Sequence, residues 1–202
     1  MRKIIIATFI LITFSSCSPY AVPPRIKREL YCYNGGEPTG IDSLIKINGY
    51  YIEQIKGNDT LQNSFIFFND GIFIREDFKG TDSPSQYLKT LAKYSKLPSG
   101  RYFNFGIYKV SSDTIKAQIL RPGSSNTYYA NEAWFKIVNQ TSIKGIYTKA
   151  LGVARLSETY YNSRNPAIFI KASDTLPVSN AWLKKKKWFW CKDAWKKRKQ
   201  TK

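Results

Sequence analysis

The chain contains no histidine. That removes the Ser-His-Asp triad, the Cys-His pair and any His-ligated metal. Three kinds of residue that could do chemistry are left: cysteines, one serine–lysine pair and carboxylates. Ser43 and Lys46 have the Ser-x-x-Lys spacing used for acyl transfer, which needs a helix to put both side chains on one face. The run around them reads as a strand, which would turn them to opposite sides, and the companion Ser-Asp-Asn and Lys-Thr-Gly elements are missing. Glu53, Asp70, Glu76, Asp77, Glu132 and Glu158 could furnish the paired carboxylates of a glycosidase. They flank turns or sit at polar strand positions, where solvated charge is the ordinary explanation. Phosphate loops, Gly-x-Ser-x-Gly and Cys-x-x-Cys are absent. The expectation is a protein that is not an enzyme, with no catalytic residues, no cofactor and no metal.

The cysteines point elsewhere. Arg2 and Lys3 precede an apolar run over residues 4–14. Eleven helical residues rise about 16 Å, roughly half of a ~30 Å hydrocarbon core, so the run is too short to span a bilayer. Ser15 and Ser16 follow, then Cys17, in the order of a cleaved export signal. The Phe14-Ser15-Ser16-Cys17 run resembles the lipobox of bacterial lipoproteins. The resemblance implies a signal peptide over residues 1–16 and a diacylglycerol thioether on Cys17, which becomes the new N-terminus. It implies a cell-envelope location, anchored to the outer membrane of a Gram-negative bacterium. Residues 17–40, Pro-rich at their start, are then the lipid anchor and tether.

With Cys17 acylated, Cys32 and Cys191 are left as an even pair in an oxidising compartment. A bridge between them would close a loop of 159 residues, worth up to ~5 kcal/mol in the chain-entropy model. A closed barrel sets its first and last strands side by side, so such a clasp would suit one. Two free thiols are the alternative.

The formal charge is +18, and residues 184–202 carry ten Lys/Arg and one Asp, so half the excess lies in the last nineteen residues. A basic tail seeks anionic surfaces. Export removes nucleic acid as a partner and leaves lipid head groups. Lys184, Lys185, Lys186 and Lys187, then Lys196, Lys197, Arg198 and Lys199, are the candidate membrane-surface contacts. Trp188, Phe189, Trp190 and Trp195 lie between them, an interleaving that suits a membrane interface. Equally, Trp188-Phe189-Trp190 could be a last barrel strand packing into the core, with only the final block free.

Something must position these groups, and the body of the chain reads as strands. Aromatic content of 15% favours pleated, half-buried surfaces. Residues 41–47 and 50–55 flank Asn48-Gly49, residues 64–68 and 72–75 flank Asn69-Asp70-Gly71, and residues 106–110 and 114–119 flank Ser111-Ser112-Asp113. Residues 133–138 and 143–148 pair around Asn139-Gln140, and residues 167–172 form a later strand. Ile115, Ala117 and Ile119 alternate with Thr114, Lys116 and Gln118, which predicts one buried and one wet face. Residues 84–94 are the exception, with Tyr87, Leu88, Leu91 and Ala92 on one helical face.

This order predicts an all-β fold, a single antiparallel barrel over residues 41–191 with one short helix and a basic tail over 192–202. The Ile47-Asn48-Gly49-Tyr50-Tyr51 entry resembles the Gly-x-Trp first strand of the lipocalins, and residues 106–110 with 113–117 resemble a hairpin from the middle of that barrel. The resemblance implies a cavity for a small apolar or lipidic ligand, lined by Phe65, Phe67, Phe103, Phe105 and Trp134. The other reading is a filled barrel whose outer face and tail dock lipid or a protein partner.

Overall fold

The computed structural model describes residues 22–54, 61–79, 86, 89, 104–122, 128–152, 158–160, 165–172, 176, 179 and 182–201. Nine strands form one sheet: β1 (Gly49–Gln54), β2 (Leu61–Phe67), β3 (Ile72–Lys79), β4 (Asn104–Ser111), β5 (Thr114–Pro122), β6 (Tyr128–Asn139), β7 (Ser142–Leu151), β8 (Glu158–Tyr160) and β9 (Ala167–Lys171). Strands β1 to β7 run as a meander, each antiparallel to the next. Strand β9 then inserts between β7 and β1 and closes the ring. The result is an eight-stranded antiparallel barrel, with β8 added to the edge of β7.

Turn chemistry sets the register. Gly71 takes a φ of +86° in the Asn69-Asp70-Gly71 turn, a conformation that costs a residue without Cβ little. The turn brings Phe67 opposite Phe73. Asn139 pairs with Ser142 across a tight turn, where its Oδ1 accepts the Thr141 amide at 2.9 Å. Strands β4 and β5 pass very close at Gly106, where a Cβ would lie 2.3 Å from the Gln118 carbonyl oxygen.

The barrel interior is aromatic at one end. Phe65, Phe67, Phe73 and Phe135 are buried together, with Phe65 and Phe135 rings 4.9 Å apart and Phe67 and Phe73 rings 4.9 Å apart. Ile115, Ala117 and Ile119 complete this wall, as their alternation predicts. Burying each such ring contributes about 2–3 kcal/mol relative to leaving it in water. At the other end the inward positions turn polar: Asn63 donates to Glu53 at 2.9 Å, and Arg75 donates to the Asn63 side-chain oxygen at 3.0 Å.

Residues 41–47 depart from the expected strand. Gly40, at a φ of +72°, starts a 3-10 turn over Ile41–Ser43, and Ile41 and Ile45 are buried in the aromatic cluster. Residues four apart share a face in a helical turn and in a strand alike, so the spacing of Ile41 and Ile45 does not tell the two apart. Here the turn seals the aromatic end. Ser43 donates its hydroxyl to the Gly40 carbonyl at 2.7 Å, while Lys46 stands exposed with its ammonium 6.0 Å from the Phe169 ring centroid.

The flanks wrap the barrel from outside. Helix α1 (Pro24–Glu29) buries Ile26, which lies against Gly152, where a Cβ would come within 2.6 Å of Ile26 Cγ1. Two 3-10 turns, Trp182–Lys185 and Lys187–Phe189, bury Leu183 and Phe189, and helix α2 (Lys192–Gln200) follows. Val22, Ile26, Tyr33, Leu183 and Phe189 form one cluster with outward-facing barrel residues such as Tyr50, Ile66, Ile72 and Phe105.

This coat corrects several expectations. Val22, Ile26 and Tyr33 are buried against the barrel, so residues 22–40 are not a free tether. The barrel ends at β9, and Trp188-Phe189-Trp190 packs outside it as a 3-10 turn instead of serving as its last strand. Residues 192–200 are a docked helix. The outer face of β5 is not uniformly wet either: Gln118 is 2% exposed, because α1 and Tyr31 cover it. Gln86 and Lys89 are helical. The rest of the expected 84–94 helix lies outside the described residues, as do the signal segment, Cys17 and Phe103.

Candidate functional site

The two flanks meet at a clasp. Cys32 and Cys191 form a disulfide with Cα atoms 4.8 Å apart. Around it the Tyr33 amide donates to Phe189 O at 2.7 Å, and the Cys191 amide donates to Tyr33 O at 3.0 Å. Tyr33 stacks on Phe189 and meets Trp190 edge-on. The clasp therefore combines a covalent link, a short parallel bridge and a ring cluster.

Two of the eight expected surface cations are turned into this structure. Lys184 places Nζ 2.6 Å from Asp70 Oδ2 and 2.9 Å from Ser179 Oγ, beneath the Tyr33 ring. Arg198 donates to the Lys184 carbonyl at 2.5 Å, with its guanidinium 4.6 Å from the Trp190 ring centroid and 5.3 Å from that of Trp195. The physical reason is local demand. Asp70 sits in the β2–β3 turn beneath the C-terminal segment and needs a counter-charge, and the carbonyl of Lys184 needs donors. Burial pushes the Tyr33 hydroxyl pKa up, and the Asp70 charge beside it adds to the effect. Lys185, Lys186, Lys187, Lys196, Lys197 and Lys199 are exposed.

A second polar knot holds α1's end of the coat. Glu132 of β6 is 4% exposed. It accepts from Trp134 Nε1 and Gln118 Nε2 at 2.7 Å each and from the Tyr31 hydroxyl at 3.1 Å, with Lys149 Nζ at 3.6 Å. Burial pushes this carboxyl up, but the three donors and the ammonium outweigh it and hold its pKa below the usual value.

The remaining sequence candidates are scattered. Phe65 and Phe67 are inside the barrel, whereas Phe105 faces outward beneath the coat. Trp134 lies on the outer wall beside Tyr147, under Lys116. The expected lining is thus split between two sides of the wall. A pocket of about 20 Å³, room for one water, lies in the wall itself, where Phe65, Ala133 and Phe135 meet Trp134 and Tyr147. Hollows of about 400 Å³ and 330 Å³ lie outside the wall, around the clasp. The carboxylates are dispersed too: Glu53 faces Asn63, Asp70 faces Lys184, and Glu76 accepts the Asn104 amide at 2.8 Å. Asp77 lies 3.7 Å from Arg75, and Glu158 is exposed on β8.

The Asp70–Lys184 and Tyr31–Glu132 contacts were not legible in the sequence. Their partners lie 114 and 101 residues apart, so no local period links them. No family model, curated protein or solved structure matches the chain.

Proposed function

We propose that the protein is a non-catalytic, lipid-anchored component of a bacterial cell envelope whose filled barrel serves as a rigid docking body and not as a carrier. The observation behind this reading is the packing of the described barrel interior: interlocked phenylalanines at one end and a Glu53–Asn63–Arg75 chain at the other. A carrier needs a cavity of ~300–1,000 Å³ for a small apolar ligand. Cys17 supplies the anchor, and the coat supplies the interacting surface.

Titration of the mature protein with a fluorescent apolar probe tests the reading. The expected result is no saturable binding. Stoichiometric uptake, displaced by fatty acids, would contradict a filled barrel.

A further inference from the structure

The clasp gathers charge as well as chain. Residues 22–33 and 182–201 hold twelve Lys/Arg against two Asp/Glu, more than half the excess of the whole protein. Lys27 of α1 lies 5.6 Å from the Trp188 ring centroid, which joins the two flanks into one surface. Exposed on it are Arg25 and Arg28 of α1, Lys185 to Lys187, and the lysines of the outer side of α2. Helix α2 turns Ala194, Trp195 and Arg198 inward and Lys192, Lys196 and Lys199 outward, which is the division of a surface helix.

Chain length fixes what this surface faces. Cys17 lies five residues before Val22, and five extended residues span at most ~17 Å. Val22 is 4% exposed and belongs to the same cluster as Leu183 and Phe189. An anchor on Cys17 therefore holds Val22, a member of the cluster beneath the basic surface, within ~17 Å of its own bilayer. That upper bound is about two Debye lengths of ~8 Å in physiological salt, and a tether short of full extension brings the surface inside one.

We infer that this coat surface docks onto anionic phospholipid head groups of the same membrane that holds the lipid on Cys17, laying the barrel against the bilayer. The inference rests on the anchor proposed above. The two acyl chains of the diacylglycerol already hold the protein to the bilayer, so the basic patch decides how the barrel lies on the membrane and not whether it stays there. Each lysine brought to an anionic surface contributes roughly a fivefold gain in partition. The disulfide has a role here, because it keeps α2 beside α1 and so beside the anchor.

Trp182, Trp188, Trp190 and Trp195 are four of the five tryptophans and all lie in the coat, so indole quenching reports on this face. Lipidated mature protein is mixed with vesicles of brominated phosphatidylcholine, with and without about 30 mol% phosphatidylglycerol. Pelleting with neutral vesicles reads the anchor, and quenching reads the docking. The expected result is pelleting with both, but quenching at least about twofold greater with the anionic lipid. That excess is lost in about 0.5 M salt and in the triple variant Lys185→Glu, Lys186→Glu, Lys187→Glu, whose sites are exposed. Equal quenching on neutral vesicles, or an excess indifferent to salt, overturns the docking. Retention on a soluble polyanion without quenching assigns the surface to another partner and overturns it as well. Failure to pellet with neutral vesicles removes the anchor itself.

Discussion

Lys184 holds its ammonium nitrogen 2.6 Å from the carboxylate of Asp70, a residue 114 positions earlier in the chain. Asp70 belongs to the turn joining β2 and β3, and Lys184 to the segment after the barrel has closed. The pair is about one-fifth exposed on both sides. Asp70 also accepts the Ser179 hydroxyl at 2.6 Å and the Ile72 amide at 3.1 Å. This contact ties the C-terminal flank to the barrel, while the Cys32–Cys191 bridge ties it to the N-terminal flank.

Removing one partner leaves the other charge half-buried. Lys184→Met is expected to cost about 2–4 kcal/mol, and Asp70→Asn somewhat less because the amide can still bond Ser179. The double variant should cost less than the sum by more than about 1 kcal/mol. Urea unfolding of the three variants checks this, and simple additivity would mean that the two residues are not coupled.

Reduction of the disulfide opens a loop spanning 159 residues. The expected loss is at most about 5 kcal/mol. The barrel should persist, since its eight strands pair without the clasp. Urea midpoints with and without dithiothreitol, read together with far-ultraviolet circular dichroism, measure the loss. Collapse of the strand signal on reduction would contradict an intact barrel under a removable coat.

Glu132 gives the stability an acid limb. Its carboxyl is held below its unfolded value, so its contribution is complete above the unfolded pKa and is lost as the pH falls through the folded one. Glu132→Gln puts an amide among three donors and should cost about 2–3 kcal/mol near neutrality. The cost should shrink on acidification. Thermal midpoints of wild type and variant from pH 7 down to about pH 3 decide it, and a constant difference would count against this.

Glu76 has the opposite sign. Burial raises its pKa from 4.5 to about 7, against the lowering effect of the Asn104 amide. Between those values the folded state keeps a proton that the unfolded chain has lost, so stability falls as the pH rises through this window, by on the order of 3 kcal/mol at most. Glu76→Gln should flatten that decline and be the more stable protein above pH 7. A Glu76→Gln curve parallel to wild type would refute the assignment.

Much of the barrel was legible because its signals are local. Asn69-Asp70-Gly71 demands a turn that only a few residues make cheaply, and Ile115, Ala117 and Ile119 declare a buried face by their spacing. The Cys32–Cys191 bridge is one of the two readings that an even pair of cysteines leaves open, the other being two free thiols. What escaped is non-local or ambiguous in period. Residues 41–47 have Ile at 41, 45 and 47, which fits a strand as well as the 3-10 turn that Gly40 starts. Gln118 looks like a wet position until the coat covers it. Trp188-Phe189-Trp190 fits a membrane interface or a last barrel strand by sequence; in the fold Phe189 is buried and its neighbours half-buried, covered from outside the barrel, where nothing in a strand pattern would place them. Lys184 and Arg198 read as two more tail charges because their partners, Asp70 and the Trp190–Trp195 rings, are set by the fold.

The most direct measurement is native mass spectrometry of the mature protein released gently from its own membrane. The account predicts one species, the chain from Cys17 carrying its lipid and lacking two hydrogens for the disulfide, with nothing else retained. A further apolar adduct that stays bound until the barrel unfolds would make the protein a carrier and contradict the filled barrel on which the account rests.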